Sequence, residues 1–521
     1  MFTDNKIIEM NYLLKHNVCN SVILILLVLF NMQVSYAQTD SLKTIIMQAK
    51  QGDATAQNEV GDWYYKGRYV KQDYAEAEKW WRKSANQGNV YAIGNLGLCY
   101  QYGRGVDKDS LAALRLYARS VKDGNKKLIE ERIKLEDKAG VFDNVFVALC
   151  YQKGTGIKKD INSAKTYFVK AAKQNSVDAQ RELGVILMNE KNAKEAATLF
   201  KSATEQGDLS STYYYGKLLL DGNNIAQDKQ QGVIYLLKAA EKGLAQAQLE
   251  MGVLYSKGDG VKKDDNQAVK WYRLAAGQGN TTAEWNLAQC CMNGTGVNRN
   301  YDEALYWYGE AVNGGYRRTF KKMFEEDDNF RNSLFMLYMK GMKTYLIDKN
   351  FDEAFNIFKA LAKQNIVEGQ TMQGVILANN AYAKNNPKKA LKLLTNASRT
   401  DATACFYLAS LYEAGKGTNK DFDKALKLYG KSAMDGYPTA LCYLGYIYYE
   451  GRGVKQDYTK AVEYYLNAEH QNRLTQNARK RLASCYEDGL GELMADKRHA
   501  SKLMKKEQNN NVVPLLTHYI Y

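Results

Sequence analysis

Small and apolar residues recur along the chain with the spacing of one helical face. An aspartate or asparagine is followed four residues later by alanine, and small pairs such as Ala171-Ala172 and Ala275-Ala276 come seven and eight residues after that alanine. These spacings place the apolar residues on one side of an α-helix. An Asp or Asn side chain at the start of such a run accepts hydrogen bonds from the free amides of the first turn. The pattern therefore predicts a helix that begins at each of these residues.

This unit is written twelve times, once with glycine (Gly232) in place of the alanine, and most copies lie 36 residues apart. That period is the length of one helical hairpin with its linkers. Two steps are longer, 51 and 50 residues, and their extra residues fall around 126–140 and at 316–332. We interpret the first as a lengthened helix or a charged insert and the second as a joint between two blocks. The predicted helix starts are Asp73, Asp109, Asp160, Asn192, Asp228, Asp264, Asn300, Asn350, Asn386, Asp421, Asp457 and Asp496.

Each predicted helix also has an end signal and a preceding partner helix. Eleven residues after the alanine stand residue types that tolerate a left-handed conformation, namely Gly88, Gly124, Asn175, Gly207, Gly243, Gly279, Gly315, Asn365, Asp401, Gly436 and Asn472. The partner helix carries a Leu-Gly-x-Leu-Tyr pattern, as at 96–100 and 444–448, and a Gly-x-Gly-Val turn follows it, as at 103–106 and 451–454. Because glycine inside a helix costs roughly 1 kcal/mol against alanine, we expect two helix backbones nearly to touch at that glycine.

Together these motifs resemble Sel1-like repeats, which are relatives of tetratricopeptide repeats, and the likeness to the exported bacterial type covers roughly residues 46–503. The resemblance implies an all-α fold, a right-handed α/α solenoid (superhelix) of about twelve helix-turn-helix repeats. We expect about seven helix pairs in a block at 38–315 and about five in a block at 333–507. An irregular joint at 316–332 would separate the blocks, and 508–521 would be a tail.

The N-terminus has the features of an export signal. A run of nine apolar residues at 22–30 is too short for a membrane span and fits a secretory signal, with Ser35-Tyr36-Ala37 as the cleavage site. The alternative is an uncleaved anchor. We expect cleavage after Ala37, a periplasmic or secreted protein, and no stable membrane insertion. Residues 1–37 carry no net charge, so the mature chain keeps the formal charge of +15.

The chain offers little catalytic or metal-binding chemistry. Its four histidines are His16, His470, His499 and His518, so the body of the protein has no imidazole for a triad or a zinc site. We therefore predict no enzyme, no cofactor and no metal, and the scattered positive charges do not favour nucleic-acid binding. Cys99, Cys150, Cys290 and Cys485 share the second leucine position of the motif, where a small core residue is expected. The aromatic pairs 80–81, 271–272 and 307–308 are likewise expected in the core.

The composition and the repeats favour an exported scaffold that binds a protein partner or a peptide segment along a concave groove. A cell-wall glycan-binding or glycan-processing accessory protein is the alternative. In tetratricopeptide arrays the groove is lined by first-helix residues three before, one after and four after the mid-helix glycine. The resemblance implies partner-binding residues at Trp285, Gln289, Met292, Tyr213, Lys217, Phe406, Tyr446 and Tyr449.

Overall fold

The computed structural model describes residues 41–470 and 474–505, so the predicted signal peptide, with its cleavage site, and the tail at 508–521 lie outside the described residues. Within those ranges the chain is helical and contains no strand. Twelve antiparallel helix pairs follow one another, numbered here as repeats 1 to 12. They are Ala54–Lys66 with Tyr74–Asn86, Val90–Tyr102 with Ser110–Lys122, Val141–Lys153 with Ile161–Lys173, Val177–Asn189 with Ala193–Glu205, Leu209–Asp221 with Lys229–Glu241, Ala245–Lys257 with Asp265–Gly277, Thr281–Asn293 with Tyr301–Ala311, Leu334–Leu346 with Phe351–Lys363, Val367–Ala378 with Pro387–Ala397, Ala402–Ala414 with Phe422–Met434, Pro438–Glu450 with Tyr458–His470, and Gln476–Asp488 with Lys497–Lys505.

The predicted helix starts are confirmed. In every second helix the Asp or Asn side chain accepts a hydrogen bond from a backbone amide of the first turn, as Asp73 does from Ala75 and Glu76. Such a cap is worth about 1 kcal/mol. The alanine that follows is at most 1% exposed in all eleven units that have it. The same residue types therefore begin each helix and let it approach its neighbours.

The predicted helix ends are confirmed at nine positions and wrong at one. Nine of the predicted residues, from Gly88 to Gly436, have positive φ. Asp401 has φ −121° and caps the next helix instead, where its side chain accepts from the amide of Thr403. An aspartate satisfies both patterns, and the capping hydrogen bond decided between them. Asn472 lies outside the described residues.

The mid-helix glycine makes room mainly for a ring, which corrects the expectation of touching backbones. A Cβ built on Gly252 would lie 2.5 Å from the ring of Tyr272, and one on Gly97 would lie 2.7 Å from the ring of Tyr117. Each of these rings comes four residues after the alanine of the second helix that follows the capping Asp or Asn. Only in repeat 5 is a backbone atom the nearest neighbour in this pairing, since a Cβ on Gly216 would lie 2.9 Å from the carbonyl oxygen of Gly232.

Where the ring of the second helix is a tyrosine, it can also form a polar link within its repeat. Its hydroxyl donates to a residue sixteen positions earlier: Tyr117 to Gln101 at 2.8 Å and Tyr429 to Glu413 at 2.8 Å. The hydroxyl of Tyr465 occupies the same position in repeat 11 but is buried without a hydrogen-bond partner. The ring thus locks the two helices of a repeat in register wherever the first helix supplies an acceptor.

The Gly-x-Gly-Val segment is an inter-helix turn, as predicted. Both of its glycines have positive φ wherever the motif is complete, for example 67° at Gly103 and 75° at Gly105. The second glycine also lies against the preceding repeat, because a Cβ on Gly105 would meet the carbonyl oxygen of Tyr74 at 2.3 Å. A larger residue at this position would push two repeats apart.

The two long steps have different structures. The first contains a separate short helix, Lys126–Ile133, and a 3₁₀ turn, Glu136–Lys138, so it is an insert rather than a lengthened helix. The second continues from a π turn at Val312–Tyr316 into the helices Arg317–Glu326 and Asp328–Arg331. Phe320 is fully buried there against the rings of Trp285 and Tyr308. The predicted joint therefore contributes to the core.

The chain divides into two compact units. The first unit ends at Gln206, and the second begins at Gly207. The second unit holds the largest core cluster, which runs from Ala268 in repeat 6 to Leu411 in repeat 10. The predicted core cysteines Cys99, Cys150 and Cys485 are buried, whereas Cys290 is half-buried and Cys291 is fully buried. In the aromatic pairs the second ring is buried each time, while Trp80 and Trp271 are half-buried.

Candidate partner-binding surface

First helices of adjacent repeats are joined by side chains at two recurring positions. The residue one after the mid-helix glycine contacts the residue two before that glycine in the next repeat. Asp62 accepts from Asn95 at 3.1 Å, and Lys217 donates to Glu250 at 2.9 Å. In repeats 11 and 12 the guanidinium of Arg481 lies 4.6 Å from the ring centre of Tyr446. Side chains on the face that carries the predicted groove residues therefore contact one another between repeats 1 and 2, 5 and 6, and 11 and 12.

Tyr213 and Lys217, both predicted to bind a partner, lie together in repeat 5 and are half-buried. Burial and the charge of Glu250 raise the pKa of Tyr213. Burial lowers the pKa of Lys217, but the hydrogen bond and the charge of Glu250 outweigh it, so the net shift is upward. Lys217 is thus a charged, partly desolvated group that already has an acidic neighbour.

The three predicted residues of repeat 7 differ in how much surface they offer. Trp285 is only 7% exposed, because it packs on Tyr308 at 5.0 Å and stacks on Tyr316 at 5.2 Å between ring centres. Met292 is half-buried, and its sulfur accepts from the Tyr308 hydroxyl at 3.8 Å. Gln289 is also half-buried. Trp285 and Met292 meet through Tyr308, and Trp285 has little area left for a partner.

The predicted residues of repeats 10 and 11 are connected by a tyrosine that the sequence analysis missed. Phe406 lies 5.8 Å from Tyr443 between ring centres, and Tyr443 lies 5.7 Å from Tyr446. The Tyr443 hydroxyl donates to Glu413, and burial together with this carboxylate raises its pKa to about 12. The phenol therefore keeps its proton at any physiological pH.

Two arginines complete this surface. Arg481 donates to Glu450 at 3.1 Å and lies over Tyr449 as well as Tyr446. Arg452 pairs with Glu413 at 2.8 Å, and its side chain is 51% exposed. We call this set the Tyr–Arg track, defined by Phe406, Tyr443, Tyr446, Tyr449, Arg452 and Arg481.

A signal for two of the three missed members, Tyr443 and Arg481, was present in the sequence. Tyr443 lies two residues before Gly445, and Arg481 lies two residues before Ala483, the position that contacts the preceding repeat. The tetratricopeptide register carried over to this chain did not include that position. A search for large or charged residues two before the glycine would have found both.

The described ranges show no arrangement suited to metal or reactive thiol chemistry. No group of three or more His, Cys, Asp and Glu residues there could hold a metal ion. None of the seven cysteines in those ranges is in a disulfide, and burial raises the pKa of Cys99 and of Cys150 to about 12. Because the thiolate is the reactive form, burial keeps these two thiols in their less reactive, protonated form while the chain is folded around them. Every helix at 41–470 and 474–505 is also too short or too polar to cross a bilayer.

Comparison with known proteins identifies the repeat. The family model described as Sel1 repeat matches eleven segments, 54–89, 90–125, 144–176, 177–208, 209–244, 245–280, 281–316, 332–366, 402–437, 438–472 and 477–506. Repeat 9 is the helix pair without a match. A search of curated proteins gave no match.

Solved structures with similar folds include two bacterial repeat proteins. One is c5321, a protective antigen of uropathogenic Escherichia coli with an SLR fold, at 24% identity and TM-score 0.34, covering 90% of this chain and 98% of that one. The other is a Sel1 repeat protein from Oxalobacter formigenes, at 28% identity and TM-score 0.35, covering 49% of this chain and 96% of that one. Yeast Tom70 is more distant, at 16% identity and TM-score 0.24, covering 81% and 97%.

Proposed function

We propose that this chain, which belongs to the Sel1 repeat family, is a non-catalytic scaffold that binds a protein partner along its first helices. Proteins built from such repeats generally serve as interaction scaffolds, because stacked helix pairs present an extended surface without a catalytic centre. The observation that carries the proposal is the Tyr–Arg track, which places four aromatic rings and two arginines across three consecutive repeats.

The composition of the track supports recognition of protein. Tyr and Arg are enriched among residues that dominate binding energies, and removal of one such residue costs about 2 kcal/mol or more. Tyr446, Tyr449 and Arg452 combine a fixed position with a side chain that is at least partly exposed. Their positions are fixed by neighbours, so binding would order few additional side chains, which lowers its entropic cost.

We further propose that the protein acts outside the cytoplasm, with its signal peptide removed after Ala37. The support is the short apolar run and the small residues at 35–37. The intact mass of the exported protein tests this directly. A mature chain that begins at Gln38 is expected, and one that begins at Met1 would contradict it.

A pair of tyrosines in one helix gives a matched test of the surface. Tyr446 faces Arg481 of the next repeat, whereas Tyr448 stacks on Tyr464 of its own repeat at 5.8 Å, and both are half-buried. A photo-crosslinking amino acid is placed at position 446 or 448 of the full-length protein in the producing cells. We expect discrete adducts with a protein from position 446 that disappear in Arg481→Ala, and none from position 448.

The outcome separates the candidate functions. Equal adducts from both positions, or adducts from 446 that persist in Arg481→Ala with full intensity, would remove the support for the track. Adducts that migrate as cell-wall glycan and are sensitive to a glycan hydrolase would favour the glycan-binding alternative. Circular dichroism of each variant checks that the helices are intact.

A further inference from the structure

Repeats 7 and 10 are linked by a contact that a simple stack of repeats does not produce. In a solenoid each repeat touches mainly its neighbours. Here the hydroxyl of Thr403 donates to Asp302 at 2.9 Å across 101 residues of sequence, and the amide of Tyr301 donates to Glu368 at 2.9 Å across 67 residues. The start of the second helix of repeat 7 is therefore hydrogen-bonded to the starts of the first helices of repeats 9 and 10.

Three carboxyl groups meet at this contact. Asp302 accepts hydrogen bonds from Tyr338 and Thr403 with its two oxygens. Asp401 accepts from Thr371 and from the amide of Thr403. Glu368 and Asp401 are 3% and 6% exposed, and the second carboxyl oxygen of Glu368 is buried without a hydrogen-bond partner. An unpartnered carboxylate oxygen in this setting is costly, whereas a protonated carboxyl is far less so.

The surroundings do little to neutralise three negative charges. Arg299 is the positive group that acts on Glu368, and the tyrosines that act on these carboxyl groups are neutral phenols. Burial raises the pKa of Asp401 to about 7, helped by the charges of Asp302 and Glu368, and burial likewise raises the pKa values of those two groups. The titratable and charged groups that face one another here are Asp302, Glu368, Asp401, Arg299, Tyr301, Tyr338, Tyr407 and Tyr437.

We propose that Asp302, Glu368 and Asp401 form a proton-dependent clasp, which holds repeat 7 against repeats 9 and 10 and opens when these carboxyl groups lose protons. Folded-state pKa values above the unfolded values mean that the closed form binds more protons than the open form. The clasp is therefore tightest in acid and loosens as the pH rises toward and through the value of Asp401, about 7. For each proton released on opening, the opening equilibrium rises by up to about tenfold per pH unit.

A native cysteine reports on this opening. Cys405 lies in the first helix of repeat 10, is fully buried, and its thiol contacts the carbonyl of Ser398 at 3.1 Å. Cys150 in repeat 3 is 2% exposed and lies far along the chain from the clasp. Pulse labelling of the full chain with a thiol reagent, followed by peptide mass spectrometry, gives the labelling ratio of Cys405 to Cys150 in one sample. The ratio cancels the pH dependence that all thiols share.

Between pH 5.5 and 7.5 we expect this ratio to rise at least about tenfold in the natural protein. In the double variant Glu368→Gln with Asp401→Asn, which keeps acceptors for the same amides, the ratio should change less than about twofold. Asp53→Asn is the control, because Asp53 is an exposed cap at the start of a first helix. A ratio that stays constant in the natural protein, or rises equally in the double variant, overturns the proposal.

A second measurement stands even if the double variant fails to fold. At pH 6 the infrared spectrum of the natural protein should contain the carbonyl band of a buried protonated carboxylic acid, and this band should weaken in Asp401→Asn. Absence of the band overturns the proposal. If the band is missing at pH 6 and added calcium suppresses Cys405 labelling at pH 7.5, a cation and not protons closes the clasp. That result also overturns the proposal.

Discussion

Gly232 offers a substitution for which sequence logic and structure predict opposite results. The other eleven repeats have alanine at this position, and alanine is favoured over glycine inside a helix by about 1 kcal/mol. In the structure, however, a Cβ on Gly232 would lie 2.8 Å from the Cγ atom of Leu220 and 2.9 Å from the carbonyl oxygen of Gly216. The facing helix would have to shift, since one of these neighbours is backbone.

The expected size follows from the two opposing terms. Overpacking of this kind costs about 1–3 kcal/mol, against a helix-propensity gain of about 1 kcal/mol. We therefore expect Gly232→Ala to lower the free energy of unfolding, by up to about 2 kcal/mol. Gly430→Ala is the matched control, because Gly430 is also in a second helix but a Cβ there would meet nothing within 4 Å. That variant should gain about 1 kcal/mol.

The assay is urea denaturation followed by circular dichroism, with hydrogen exchange resolved by repeat, because a repeat protein need not unfold in one step. Exchange should accelerate in repeat 5 for Gly232→Ala and slow in repeat 10 for Gly430→Ala. If Gly232→Ala stabilises as much as Gly430→Ala, the close approach of the two helices in repeat 5 is refuted.

Two further predictions concern single side chains, and each has a matched partner. Gly279→Val should lower stability by more than about 1 kcal/mol, because φ is +79° there and a β-branched residue resists that conformation. Gly279→Asn should lower the stability less than Gly279→Val, since Asn175 adopts φ 62° at the same position of repeat 3. Equal shifts of the melting temperature in the two variants would contradict the left-handed helix end at Gly279. Tyr465→Phe should be neutral or stabilising, because it removes a buried hydroxyl without a partner. Tyr429→Phe, which breaks the bond to Glu413, should cost about 1 kcal/mol or more, and the reverse order in melting temperature would show that the pairing is misassigned.

Sequence spacing was sufficient where a property depends on residues a few positions apart. The caps at Asp73 and its equivalents, and the left-handed glycines such as Gly279, are local, so a repeated residue type predicts them. Asp401 shows the limit of this reasoning, because one side chain can serve either as a helix end or as the start of the next helix, and only the completed hydrogen bond distinguishes them.

Contacts between repeats were harder to predict because they depend on how closely the helices approach. The glycine of Leu-Gly-x-Leu-Tyr was expected to face a backbone, but in six of the eight repeats that have it, it faces a ring such as that of Tyr272. Trp285 was selected by its register for a groove, yet the rings of Tyr308 and Tyr316 bury it. The contact between Asp302 and Thr403 spans three repeat steps, and a periodic pattern contains no information about a contact of that range.

The number of residues between hydrogen-bonded partners limits how this gene can gain or lose repeats. Many polar links between helices join residues 16 or about 30 positions apart, such as Tyr272 with Ser256 and Arg273 with Glu303. Unequal recombination that removes or duplicates 36 residues within repeats 5 and 6 would therefore leave every remaining partner at its proper distance. The same event between residues 302 and 403 would separate Asp302 from Thr403. Variation in repeat number among descendants of this gene should accordingly avoid the stretch from repeat 7 to repeat 10.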